Sequence, residues 1–141
     1  VFLDQLLSMG VKDYFDVVSF HPYSGQKESI DPAERMTAHV LRVLSEYGCE
    51  DRPVWFTEIG WPGDLAPGIG AARQAELLTL LYGHAFPACV EKVFWFPFDT
   101  WGKRPPKPGK GGSGLAGVYD GKVVLTPAFE AYRKAAAKGG P

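Results

Sequence analysis

The chain contains no asparagine, only two cysteines and only three histidines. Two thiols cannot make a disulfide framework or a four-ligand zinc site. Cys49 and Cys89 each stand just before an apolar, strand-like run, so neighbouring strands would bring both thiols to one end of a sheet and allow them to pair. The simpler reading is two unpaired, small apolar residues. His39 and His84 fall inside helical patterns without metal-ligand spacing, and "PPKPGKGGSG" lacks the pattern and context of a phosphate loop. No metal and no cofactor are expected. An excess of either charge is also missing: 15 Lys plus Arg face 16 Asp plus Glu, a formal charge of -1. That balance gives no electrostatic case for nucleic acid or an anionic membrane. No apolar run is long enough to cross a bilayer, and no signal peptide opens the chain. The first residue is Val1 rather than Met, so an N-terminal portion, with any export signal, is expected to be missing. Localisation stays open, with secretion an option for a longer relative.

What is present suits one globular domain over 1–141. Hydrophobic residues make up 45% and aromatics 13% of the 141 residues, enough for a core. Three segments read as buried parallel strands: "DVVSFHPYS" (16–24), "RPVWFTEIG" (52–60) and "EKVFWFPFD" (91–99). Each is a continuous apolar run, the pattern of a strand covered on both faces. Asp31-Pro32-Ala33-Glu34 starts a helix, with Asp31 as N-cap, and Met36, Val40, Val43, Leu44 and Tyr47 follow at helical spacing before Gly48. A second helix spans about 71–85, with Ala75, Leu78, Leu81 and Tyr82 on one face. A third begins at Thr126-Pro127, and "FLDQLLSMG" ends a helix ahead of the first strand. "GVYDGKVV" has the Asp-Gly turn of a small hairpin. The Gly-, Pro- and Lys-rich stretch 100–114 reads as a mobile surface loop over the carboxyl end of the sheet. Alternating helices and strands imply an α/β fold with a parallel sheet. A full (β/α)8 barrel needs roughly 250 residues. The chain is therefore a small open sheet or a partial TIM barrel, three parallel strands with flanking helices.

In such folds, side chains at the carboxyl ends of the strands meet around one site. Those positions carry His21, Tyr23, Glu58, Trp61, Trp95, Asp99 and Trp101. A carboxylate among aromatics suits sugar chemistry: sugar rings stack on Trp, and an oxocarbenium-like transition state needs an anion or nucleophile nearby. A Tyr hydroxyl or His N–H beside Glu58 would hold its oxygen and keep it ionised. The bland alternatives are a strand-end ion pair or helix cap for Glu58, loop packing for His21 and Tyr23, core filling for Trp95, and simple exposure for Trp101. Phe94 or Phe96, rather than Trp95, could face the site.

"VVSFHPYS", "VWFTEIGWP", "VFWFPFDTW" and "GLAGVYDGKVVLTPAFEAYRKAA", in that order, resemble strands six to eight and the closing helix of a clan A glycoside hydrolase. The likeness is strongest to families 5 and 39, and "TEIGWP" also resembles family 17 β-1,3-glucanases. The resemblance implies that Glu58 is the catalytic nucleophile of a retaining O-glycosidase. It implies that Tyr23, with His21, hydrogen-bonds that nucleophile, and that Trp95 floors the subsite where the bond is cut. Trp61 and Trp101 become further sugar platforms, and the substrate an oligosaccharide or polysaccharide. A clan A enzyme also needs an acid/base Glu from an Asn-Glu pair, and a chain without asparagine has none. Asp99 is the nearest substitute by position but matches no such motif. The expectation is a glycosidase fragment with little or no turnover alone. Two other readings follow from the same residues: a homodimer that covers the exposed half-barrel face, and a carbohydrate-binding scaffold that does not cleave.

Overall fold

The computed structural model describes residues 2–23, 29–63, 69–99 and 114–139. Along the chain run α1 (Phe2–Ser8), a 3-10 turn (Val11–Tyr14), β1 (Val18–Phe20), α2 (Asp31–Glu46), β2 (Val54–Ile59), α3 (Ala71–Ala85), β3 (Val90–Trp95), β4 (Ala116–Tyr119), β5 (Lys122–Leu125) and α4 (Pro127–Gly139). The first three strands form one parallel sheet in the order β1-β2-β3. Val18 pairs with Val54 and Phe20 with Phe56. Phe56 in turn pairs with Val93, and Ile59 with Trp95. A helix fills each crossover, because parallel neighbours cannot be joined by a tight turn. The result is a sheet of three parallel strands flanked by helices, the arrangement of part of a TIM barrel.

The strands differ from expectation in one respect. Their continuous apolar runs predict cover on both faces, yet burial alternates. Val54, Phe56, Val93 and Trp95 are buried, whereas Phe94 is 49% exposed. Ser19, Glu91 and Lys92 are exposed as well. The buried side joins Val40, Val43 and Leu44 of α2 and Leu77, Leu78 and Leu81 of α3 in one core. In a closed barrel the other side would be filled by side chains from opposite strands. Three strands cannot curl far enough to supply them.

The helices follow the sequence closely, with one change at the start of α2. Asp31 is its first residue rather than its cap; Ser29 lies ahead of it, and the Ser29 hydroxyl accepts the Asp31 N–H at 3.0 Å. Glu34 does not bond back to the cap but meets His84 of α3 at 2.7 Å. Tyr82 donates from its buried hydroxyl to the Val93 carbonyl at 3.1 Å and packs edge-on against Tyr132 of α4, centroids 5.6 Å apart. This ties α4 to α3 and to the sheet, and burial drives the Tyr82 phenol pKa upward. β4 and β5 form the expected hairpin, with Asp120 and Gly121 both at positive φ, as a two-residue turn of this kind requires. Cys49 is buried and Cys89 exposed, and both are free thiols. Among the described residues no helix is long and apolar enough to cross a membrane. The stretch expected as a mobile loop lies, from 100 to 113, outside the described residues.

Candidate functional site

Glu58 owes its position to an irregular strand end. Along β2, Val54 and Phe56 point into the core and Trp55 and Thr57 do not, so strict alternation would bury residue 58. The register with β3 breaks between Phe56 and Ile59. Ile59 takes the buried place instead, and the Glu58 side chain stays about one-third exposed, at 35%. Such a bulge bends the strand locally and re-aims a side chain. The chain then turns at Gly60, where a Cβ would collide with the Phe96 carbonyl oxygen. The same residue closes the contact from the other side, its N–H donating to the Ile59 carbonyl at 2.9 Å. Glycine at 60 is therefore a condition for β2 and the end of β3 to approach each other beside Glu58.

His21 and Tyr23 arrive just past the end of β1. Pro22 between them is fully buried. The Tyr23 N–H donates to the His21 carbonyl at 2.8 Å, closing a tight turn that leaves both rings outside. The Tyr23 hydroxyl donates to Glu58 Oε2 at 3.1 Å, and His21 Nδ1 stands 3.5 Å from the same oxygen. The two rings meet edge-on, centroids 6.1 Å apart. Partial burial, then the bond to Glu58 and its charge, push the Tyr23 pKa up to about 12. The phenol therefore keeps its proton and remains a donor to the carboxylate through the neutral range. Both contacts fall on Oε2, so the two carboxylate oxygens of Glu58 are chemically distinct.

Of the other candidates, the described ones, Trp61, Trp95 and Asp99, are placed differently. Trp61 and Trp95 are buried, at 2% and 6% exposure, and pack on each other with centroids 6.0 Å apart. The Trp95 indole N–H is buried without a hydrogen-bond partner among the described residues. Phe94 and Phe96, at 49% and 39% exposure, present far more surface. Asp99 is exposed and its backbone bridges to Ala116. Trp101 lies outside the described residues. No cluster of potential metal ligands occurs among the described residues. One residue that sequence reasoning passed over stands behind the site. Gln74 is a fully buried polar side chain on α3 whose amide donates to the Trp61 carbonyl at 2.7 Å. The signal was present: Ala71, Gln74, Leu78, Leu81 and Ala85 form one helical stripe, and a glutamine in an apolar stripe needs a partner.

A parallel β/α sheet with a carboxylate, a tyrosine and a histidine at one end defines an architecture before it defines an enzyme. No protein-family profile matches the chain, and no curated protein matches it in sequence. Solved structures do match its fold, glycoside hydrolases among them. A GH128 (subgroup I) endo-beta-1,3-glucanase from Amycolatopsis mediterranei, in complex with laminaritriose and laminaribiose, superposes with a TM-score of 0.61 at 24% identity over 94% of this chain. A second structure of that glucanase, with laminarihexaose, gives 0.60 at 21% identity over 93%. A monomeric beta-xylosidase from Caulobacter crescentus gives 0.64 at 21% identity over 98% of this chain. The chain spans 51% of the first glucanase structure and 31% of the xylosidase.

Proposed function

We propose that this chain carries the nucleophile half of a retaining glycosidase site acting on a β-linked polysaccharide, with a β-1,3-glucan as the first candidate. The observation that carries the reading is the 3.1 Å bond from Tyr23 to Glu58 at the end of a parallel strand. A neutral phenol on Oε2 fixes the carboxylate and leaves Oε1 to attack. In the first step Glu58 bonds to the anomeric carbon as the bond from that carbon to the leaving oxygen breaks. The leaving oxygen takes a proton from an acid about 5 Å away, and water then displaces Glu58. His21 Nδ1, 3.5 Å away, steadies the same oxygen. No Asn-Glu pair exists among the 141 residues, so the acid belongs to another segment or chain, and 1–141 alone turns over natural glycans slowly or not at all.

A substrate whose leaving group needs no proton separates the two halves of the chemistry. With a dinitrophenyl 2-fluoro-β-laminaribioside, the isolated chain is expected to gain one covalent sugar at Glu58, located by peptide mass mapping. Glu58→Gln gains none. An adduct elsewhere, or equal dinitrophenol release from both proteins, removes the assignment.

A second reading rests on the open side of the sheet. Phe94, Lys92 and Ser19 are exposed there, and among the described residues the outer edges of β1 and β3 are unpaired in the sheet. Such surfaces find partners. A second copy covers this face as a symmetric dimer, Glu91 and Lys92 of one copy meeting their opposites in the other. Light scattering at micromolar concentration that returns the monomer mass excludes it. Phe94→Glu should break a dimer that does form.

A further inference from the structure

We infer that Gln74 is a positioning residue for Glu58, clamping the turn that follows the carboxylate through the Trp61 carbonyl. This rests on the reading of Glu58 as nucleophile. A fully buried side-chain amide is costly in an apolar helix face unless it makes hydrogen bonds, and a leucine or methionine would fill the same space without that cost. What the amide gains is a 2.7 Å bond to the backbone three residues beyond Glu58. The turn is held at other points too. The Phe96 N–H bonds the Ile59 carbonyl at 2.9 Å, the Phe96 oxygen abuts Gly60, and the Ile69 N–H bonds the Pro62 carbonyl at 3.1 Å. Those contacts are backbone to backbone. Gln74 adds a side-chain clamp from α3 to the turn that follows the bulged strand end. Helix α3 is anchored in turn by Leu77, Leu78 and Leu81, which are almost fully buried, so the clamp is referenced to the core rather than to the loop.

The test is Gln74→Met, which keeps the volume and removes the donor. Two quantities are read beside thermal stability. One is the rate of fluoro-sugar trapping at Glu58. The other is the titration of Tyr23 by NMR of ring-labelled tyrosine, assigned with Tyr23→Phe. With the clamp gone, trapping is expected to slow roughly ten- to hundredfold, the usual cost of a misplaced reacting group. The Tyr23 midpoint is expected to fall from about 12 toward the ordinary tyrosine value. A variant that melts earlier yet keeps both quantities shows that Gln74 only fills the core, and the inference fails. If wild type is not trapped at all, the nucleophile reading fails, and the Tyr23 midpoint still reports on the clamp. If Gln74→Met does not fold, Gln74→Glu carries the test. Its protonated carboxyl donates the same bond and its ionised form cannot, so its trapping rate relative to wild type should fall as pH rises. A flat ratio overturns the clamp.

Discussion

On the helix side of the sheet Val54, Phe56 and Val93 are buried, whereas on the opposite side Phe94 is half exposed and Lys92 stands 4.2 Å over the Trp55 ring. One set of strands thus presents a finished core and an unfinished one. On the finished side, stability comes from removing apolar surface from water. On the other, Trp55 is dressed by polar groups: its indole N–H bonds Glu91 at 2.8 Å, and Lys92 covers its face. Long charged side chains can shield an aromatic in this way while keeping their heads wet. The candidate site sits where the two regimes meet, with Pro22 and Ile59 in the core and Tyr23, His21 and Glu58 outside it.

Substitutions that cross this divide should differ most. Phe56→Ala, on the closed side, removes a ring packed edge-on against Phe20 and should cost about 3–5 kcal/mol in chemical denaturation. Gly60→Ala forces a Cβ into the Phe96 carbonyl and should cost about 2 kcal/mol or more, with slower trapping at Glu58. Its effect should exceed that of Gly83→Ala, where a Cβ meets nothing within 4 Å. Tyr82→Phe leaves the Val93 carbonyl without its hydroxyl donor and should cost about 1–3 kcal/mol. Phe94→Ser, on the open side of an isolated chain, should stay within about 0.5 kcal/mol. A large loss there would mean that something already covers that face.

Tyr23→Phe sharpens the comparison through pH. Tyr23 in the folded chain titrates at about 12, above the ordinary value of 10.0. The unfolded chain therefore releases that proton first as pH rises, and folding loses stability across the window from 10.0 to about 12. Below that window the contribution is fully present. Denaturation of wild type and Tyr23→Phe followed from neutral to strongly alkaline pH should show the difference between them change only there. A difference that is constant across the window would mean that Tyr23 titrates as it does in the unfolded chain.

Much of the fold was legible because parallel α/β architecture is written in coarse signals: apolar runs, helix starts and an Asp-Gly turn. In the structure Val18, Val54 and Val90 align across the sheet. That alignment puts the residues after the strands at one end, which is why the meeting of Tyr23, His21 and Glu58 could be read from the sequence. The open face could not. An apolar run looks the same whether its second side is covered within the chain or awaits cover. The bulge at Glu58 was also hidden, since it depends on how Ile59 settles against Trp95 rather than on any residue type. Trp61 and Trp95 are the reverse case. Spacing placed them near the strand ends but could not say which way each indole would turn, and both turn into the core.

The hairpin stem has a consequence for how this chain can vary. The Leu115 N–H bonds the Phe98 carbonyl at 2.8 Å, and Asp99 bridges to Ala116, so positions 98–99 and 115–116 are held side by side. Thr126, bonded to the Gly114 and Leu115 carbonyls, secures the far end to α4. The entropy of closing a loop between fixed ends grows only with the logarithm of its length. Two anchor points fixed in this way tolerate changes in the length of chain that joins them while the strands and the carboxylate keep their places. Positions 99 and 114 are therefore natural ports for grafting a new recognition sequence onto the rim.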